Sequence, residues 1–142
     1  GGVLVVQAFS GLMNRADPRL LEEISRLISF HRRPCWIDIH QLRAWTSGNL
    51  VHMDFHLILP RDLSLEAAHR EAKDLETILM DHYQRSASIL IHMDPCINND
   101  CPICSSHTCH DRSDKFQTRI PWTVETMTMT GWEKLPDLIH ET

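Results

Sequence analysis

The sequence predicts an α+β two-layer sandwich of order α-β-β-α-β, with a Cys-rich C-terminal extension. Two segments carry apolar residues at helical spacing, and three alternate as half-buried strands do. Proline or Gly/Asn/Ser clusters separate them. Helices that cover one face of a small sheet make this fold class.

The elements follow in chain order. Asp17-Pro18 is a helix start, an N-cap aspartate followed by proline at the first helical position. Leu20, Leu21, Ile24, Leu27 and Ile28 then repeat at the helical period until Pro34, so the spacing predicts a helix over Pro18 to Phe30. Trp36 to Trp45 reads as a strand, with Ile37 and Ile39 on one face and Asp38 and His40 on the other. Thr46 to Asn49 is a turn. Leu50 to Leu59 alternates cleanly, with His52, Asp54 and His56 opposite an apolar face. Ser64 caps a second helix over Leu65 to Tyr83, with a buried stripe of Leu65, Ala68, Ala72, Leu75 and Leu79. Ser86 to Met93 is the third strand, with His92 and Asp94 on a shared face.

The two central strands should form a hairpin. Pairing symmetric about Gly48 sets Ile39 opposite Leu57, Ile37 opposite Leu59 and His40 opposite His56. Cross-strand neighbours lie about 4.5–5.5 Å apart at Cβ, so two imidazoles can share one ion. A one-residue slip would spoil every match.

The chain has 142 residues, which suits one domain. Its net charge of −5 argues against a nucleic-acid partner. Ten histidines are many for this length, and five cysteines, an odd number, fit a disulfide framework poorly. Crowded Cys with interleaved His suits a reducing compartment and metal chelation. The first residues lack the basic start of a signal peptide. Gly1 to Met13 is apolar but short of the roughly 20 residues that span a bilayer, so it reads either as a core helix or as the end of a membrane helix. The organisation expected is a membrane-proximal segment (1–16), a metal-binding α+β domain (17–96) and a Cys/His-rich tail with an extended arm (97–142).

The candidate metal ligands are His40, His56, His69, His92 and Asp94. Imidazole nitrogen and carboxylate oxygen suit zinc-type ions, and also cobalt, nickel, cadmium or ferrous iron. Five ligands exceed the need of one tetrahedral ion and suggest two ions bridged by Asp94. His52 and Asp54 share a face with His56 and are candidates for orienting an imidazole. His31, His82 and His140 read as surface residues; Trp36, Trp45, Trp122 and Trp132 read as packing or subunit-contact residues.

The ordered set Ile39-His40-Gln41-Leu42-Arg43, Asp54-Phe55-His56-Leu57, Ala68-His69-Arg70 and Leu90-Ile91-His92-Met93-Asp94-Pro95 resembles the cytosolic C-terminal domain of the cation diffusion facilitator transporters over about residues 11 to 96. The resemblance implies a metallochaperone-like fold, a homodimer and a cytoplasmic domain that binds zinc-like ions and regulates a proton-coupled efflux transporter. It further implies that His40, His56 and Asp94 serve one ion, and that His69, His92 and Asp94 serve its neighbour. The transport site, and the transmembrane domain that is this domain's partner, lie in helices absent from this chain. The rival readings are a dinuclear metal-dependent hydrolase and a free-standing soluble metal carrier.

The tail departs from the simplest members of that family. Cys96, Cys101, Cys104 and Cys109 give C-x4-C-x2-C-x4-C, with His107 and His110 alongside, and form a candidate accessory metal site of all-thiolate or mixed shell. The opposing reading is a flexible, solvent-exposed loop. Cys96, just past the Asp94-Pro95 corner, is near enough in sequence to join the histidine site. Arg119 to Thr142 is expected as an edge strand or a docked extended arm.

Overall fold

The computed structural model describes residues 17–130. The segment expected at residues 1–16, together with Trp132 and His140, lies outside the described residues. Helix α1 (Pro18–Phe30) begins as expected: the Asp17 carboxylate accepts from Arg19 N–H at 3.0 Å and Pro18 opens the first turn. Strands β1 (Asp38–Ser47) and β2 (Leu50–Leu59) form an antiparallel hairpin. Helix α2 (Leu65–His82) then carries the chain across to β3 (Ala87–Pro95), which lies parallel to β2. A helical crossover is what a parallel pair requires. The sheet order is β1-β2-β3.

One face of the sheet meets both helices. Ile39, Leu42, Ala44, Met53, Phe55 and Leu57 pack there against Ile24 and Ile28 of α1 and Leu75 and Leu79 of α2. Trp36, fully buried, ties the layers: its indole N–H donates to Glu71 of α2 at 2.7 Å, and Arg33 bonds both Glu71 and Asp74. The stripe expected on α2 is one residue too long, because Leu65 is 80% exposed at the first turn, before the helix reaches the sheet.

The hairpin reaches the expected His40–His56 pairing by a different route. The loop is the two-residue Gly48-Asn49, so Ser47 opposes Leu50 and Ala44 opposes Met53. A pairing symmetric about Gly48 would be one residue out of step here. The register then shifts between His40 and Arg43, where Gln41 and Leu42 together oppose Phe55. This β-bulge has Gln41 at φ 54, in the left-handed region. Past it, His40 opposes His56, Ile39 opposes Leu57 and Asp38 opposes Ile58, the last pair formed. The bulge also swaps parity, so that Leu42 and Ala44 join Ile39 in the core. Without it, a strand holding Ile39 inside would turn Leu42 to solvent.

The tail is ordered against this framework. Ile97 leads into a 3₁₀ turn (Asn98–Ile103), where an irregular stretch was expected, and Cys101 and Cys104 are buried rather than exposed. Ile103, Cys104 and Ile120 cover Ile37 and Ile58 in a second apolar cluster. The residues that follow dock as an arm rather than pairing as an edge strand. Trp122 and Met127 are buried in the main core, and a short helix α3 (Val124–Thr128) packs on β1. Arg32 clamps the arm. Its guanidinium donates to the carbonyls of Ile120 and Ile37 and lies 3.9 Å over the Trp122 ring. Burial, with Arg119 nearby and Asp38 opposing, lowers its pKa to about 10, so it stays charged at neutral pH. At Met129 the arm accepts the bulge's own N–H, Gln41 N to Met129 O, at 2.8 Å.

Gly48 has φ 62 at the hairpin loop, and an added Cβ would meet nothing within 4 Å. The cost of Gly48→Ala is therefore backbone strain alone, about 1–2 kcal/mol. Urea unfolding should show a lowered midpoint with an unchanged slope.

Candidate metal centre

The face of the sheet away from the helices is a ladder of polar rows. Trp45, His52 and Ser88 form one row and Arg43, Asp54 and Leu90 the next; then come His40, His56 and His92, and last Asp38, Ile58 and Asp94. Each row is one register position across three strands, so strand pairing alone sets its spacing. The first two rows are self-contained. Arg43 grips Asp54 through two bonds of 2.8 and 3.0 Å, and Trp45 stacks on His52 with ring centroids 5.3 Å apart. Neither Asp54 nor His52 orients an imidazole of the next row, as the sequence had suggested; each is bound to its own cross-strand neighbour.

The third row holds three stacked imidazoles. His40 and His56 have ring centroids 5.0 Å apart and 18° between planes; His56 and His92 are 4.7 Å apart and 16°. Asp94 reaches back from the fourth row. Its Oδ2 lies 2.7 Å from His56 Nδ1 and 3.9 Å from His40 Nε2. The donor atoms of His40, His56 and Asp94 all lie within 4.8 Å of one another, the sole such group of three or more His, Cys, Asp or Glu among the described residues. The His40 and His56 side chains are 12% and 27% exposed and Asp94 39%, so the group opens to solvent on one side.

This donor set fits a zinc-type ion. Two imidazole nitrogens and one carboxylate oxygen supply three ligands and leave a fourth position for a further ligand. The short His56–Asp94 contact marks where an ion would replace a shared proton. His92 is exposed and stacked on the far side of His56. His69 stands exposed near the start of α2. Neither has a donor atom in the converging group. What the sequence could not show is how the bulge at Gln41 brings His40 into line; the one hint is the change from odd to even apolar positions between Ile39 and Leu42.

Among the tail residues, Cys101 is buried and its thiol is lowered. Burial pushes it up, but hydrogen bonds from Ser113 and Asp114 and the nearby Arg112 outweigh that. Cys96 is raised, chiefly by burial. His107 and His110 are exposed. Cys35, away from both groups, is raised from 9.0 to about 11 by burial and by its bond to Glu71. Fewer thiolates at pH 8, partly offset by the greater nucleophilicity of a more basic sulfur, should make Cys35 react with iodoacetamide about tenfold more slowly than an ordinary thiol. Peptide-resolved alkylation rates measure this directly.

Known proteins bear on this geometry. Residues 16–96 match the family described as cation efflux protein, cytoplasmic domain. One solved structure, described as that of a putative zinc transporter, CzrB, is 26% identical, with a TM-score of 0.52, over 57% of this chain and 98% of that one. A second, of its zinc form, is 27% identical with a TM-score of 0.51, over 55% and 86%. No protein of curated function matches the chain. No helix among the described residues is long and apolar enough to cross a membrane. With more than half its length in the family match, this chain belongs to the cation efflux proteins and carries their cytoplasmic domain.

Proposed function

We propose that this chain is the metal-sensing cytoplasmic domain of a proton-coupled efflux transporter for zinc-like divalent cations, that it works as a homodimer, and that it is not an enzyme. The observation that carries the reading is the convergence of His40, His56 and Asp94 donors within 4.8 Å. The likeness to CzrB, solved in a zinc form, supports zinc as the ion. His40, His56 and Asp94 hold one ion. His92, next in the same row, and His69 on α2 hold a neighbouring ion with Asp94 as the bridge, within a subunit or between subunits.

The regulatory step follows from where these ligands sit. They come from three strands and one helix, and β3, at one edge of the sheet, presents Leu90 at 56% exposure beside the histidine row. An ion that draws these groups together favours whichever dimer arrangement lets them close. It shifts the population only as far as it binds the two arrangements differently. The transmembrane domain would read that shift.

Zinc should bind with an affinity that weakens as pH falls through about 6.5, the ordinary imidazole value, because protons compete for the ring nitrogens. Asp94→Ala should weaken this binding by more than about a hundredfold, the upper end for loss of a mere outer partner. Isothermal calorimetry at several pH values measures both; affinity flat from about pH 5 to 8 would exclude imidazole ligands. In small-angle scattering the dimer should become more compact on zinc addition. A dimer that binds zinc with no change in radius of gyration would rule out the tightening mechanism.

A further inference from the structure

Four cysteines of the tail border one small cavity. Cys96, Cys101, Cys104 and Cys109 line it together with Arg61 and Arg112. The cavity measures about 10 Å³, close to a single water-sized sphere. That is room for one ion and too little for a metal–sulfur cluster. We propose that these four thiolates hold one zinc-like ion in a closed structural site, separate from the His40, His56 and Asp94 centre.

The chemistry of the lining supports this. Cys101 and Cys104, at C-x2-C spacing at the end of the 3₁₀ turn, provide the two-residue bite common in structural zinc sites, and Cys96 and Cys109 complete four thiolates. Sulfur ligands need outer hydrogen-bond donors, and these are present. Arg61 N–H points to Cys96 Sγ at 3.4 Å; Ser113 offers its N–H at 3.5 Å and its hydroxyl at 3.4 Å to Cys101 Sγ. The loop itself is wound around Arg112, whose guanidinium donates to the carbonyls of Cys101, Cys104, Ser106 and Asp114 at 2.7–3.1 Å. A divalent ion with four thiolates carries two negative charges; the cavity is lined by two guanidinium groups, Arg61 and Arg112, and by two carboxylates, Asp100 and Asp111, and since Arg61 pairs with Asp111 at 3.6 Å, Arg112 is the lining cation left to offset that charge. No histidine lines the cavity.

All the described thiols are free, and no three of those in the tail lie within 4.8 Å of one another. A zinc–sulfur distance of about 2.3 Å places sulfurs about 3.8 Å apart. Uptake therefore closes the ring by side-chain rotation, and each of the four thiols gives its proton to the buffer.

The site would act on the arm. Cys104 packs with Ile37, Ile58, Ile103 and Ile120, and Gln117 and Thr118 donate to the Pro102 carbonyl at 2.7 and 3.1 Å. The same stretch leads to Trp122 and to the Met129 carbonyl that satisfies the bulge beside His40. An ion here fixes the tail that braces the histidine row. The family match ends at residue 96, so three of the four thiols lie beyond it.

Cobalt(II) titration of the whole chain under reducing conditions tests the site. Sulfur-to-cobalt charge transfer in the near ultraviolet, with tetrahedral bands in the visible, should saturate at about one ion per chain and be displaced by zinc. Asp94→Ala should keep these bands, while Cys101→Ser and Cys109→Ser lose them. Cys109 is half-buried, so its variant should keep the native circular dichroism. Zinc should also protect four cysteines from iodoacetamide and leave the rate at Cys35 unchanged. Absent charge transfer, bands that survive both cysteine variants, or bands lost in Asp94→Ala would each overturn the proposal. Charge transfer reports sulfur ligands alone, so its failure leaves the His/Asp reading standing.

Discussion

Gln41 and Leu42 of β1 oppose Phe55 alone, and this one extra residue sets both faces of the sheet. On the inner face it lets Ile39 and Ala44, five positions apart, point into the same core. On the outer face it brings His40 level with His56 although the hairpin loop starts the strands one residue out of step. Holding a glutamine at φ 54 costs about 1–2 kcal/mol. Burying Leu42 returns about 1.5–3 kcal/mol, and the bond from Gln41 N–H to the Met129 carbonyl about 0.5–1.5 kcal/mol more. The gains exceed the strain, so the bulge is a stable part of the fold. The arm beyond Ile120 is thereby tied to the site, since it provides the carbonyl that the bulge requires.

The outer face then acts as a ruler. Rows of three residues repeat at every second position of β2, two strand rises apart, and successive rows differ in what they bind: an aromatic stack, an ion pair, three imidazoles, then Asp94. Arg43 and Asp54 satisfy each other, which keeps the arginine charge off the imidazoles. The Asp94 carboxylate reaches the third row diagonally from the end of β3. An imidazole pair that shares one carboxylate is a site where protons and divalent ions compete for the same atoms. Such a row therefore holds an ion less tightly as the pH falls.

Much of this was legible in the chain. Asp17-Pro18 and Ser64 marked both helix starts, because capping needs only local residues. The alternation of Leu50 to Leu59 gave the β2 faces correctly. The pairing of His40 with His56 was also reached, though from a turn geometry that the protein does not use; two offsets, one at the loop and one at the bulge, cancel. The bulge itself depends on the Met129 carbonyl, 88 residues along the chain from Gln41, and local spacing cannot report such a partner. The same holds for the tail. Its cysteine spacing was visible, but the burial of Cys104 depends on Ile37 and Ile58 waiting beneath. Leu65 fitted the apolar period of α2, yet the helix projects past the sheet at that end and nothing covers it among the described residues.

The central claim is that His40, His56 and Asp94 are ligands of one divalent ion. Anomalous diffraction at the zinc absorption edge, from crystals of the zinc-loaded protein, tests it most directly. An anomalous peak is expected between His40 Nε2, His56 Nδ1 and Asp94 Oδ2, at about 2.0–2.2 Å from each. Zinc peaks found elsewhere on the protein, with none between these three side chains and the His56–Asp94 hydrogen bond still in place, would contradict it.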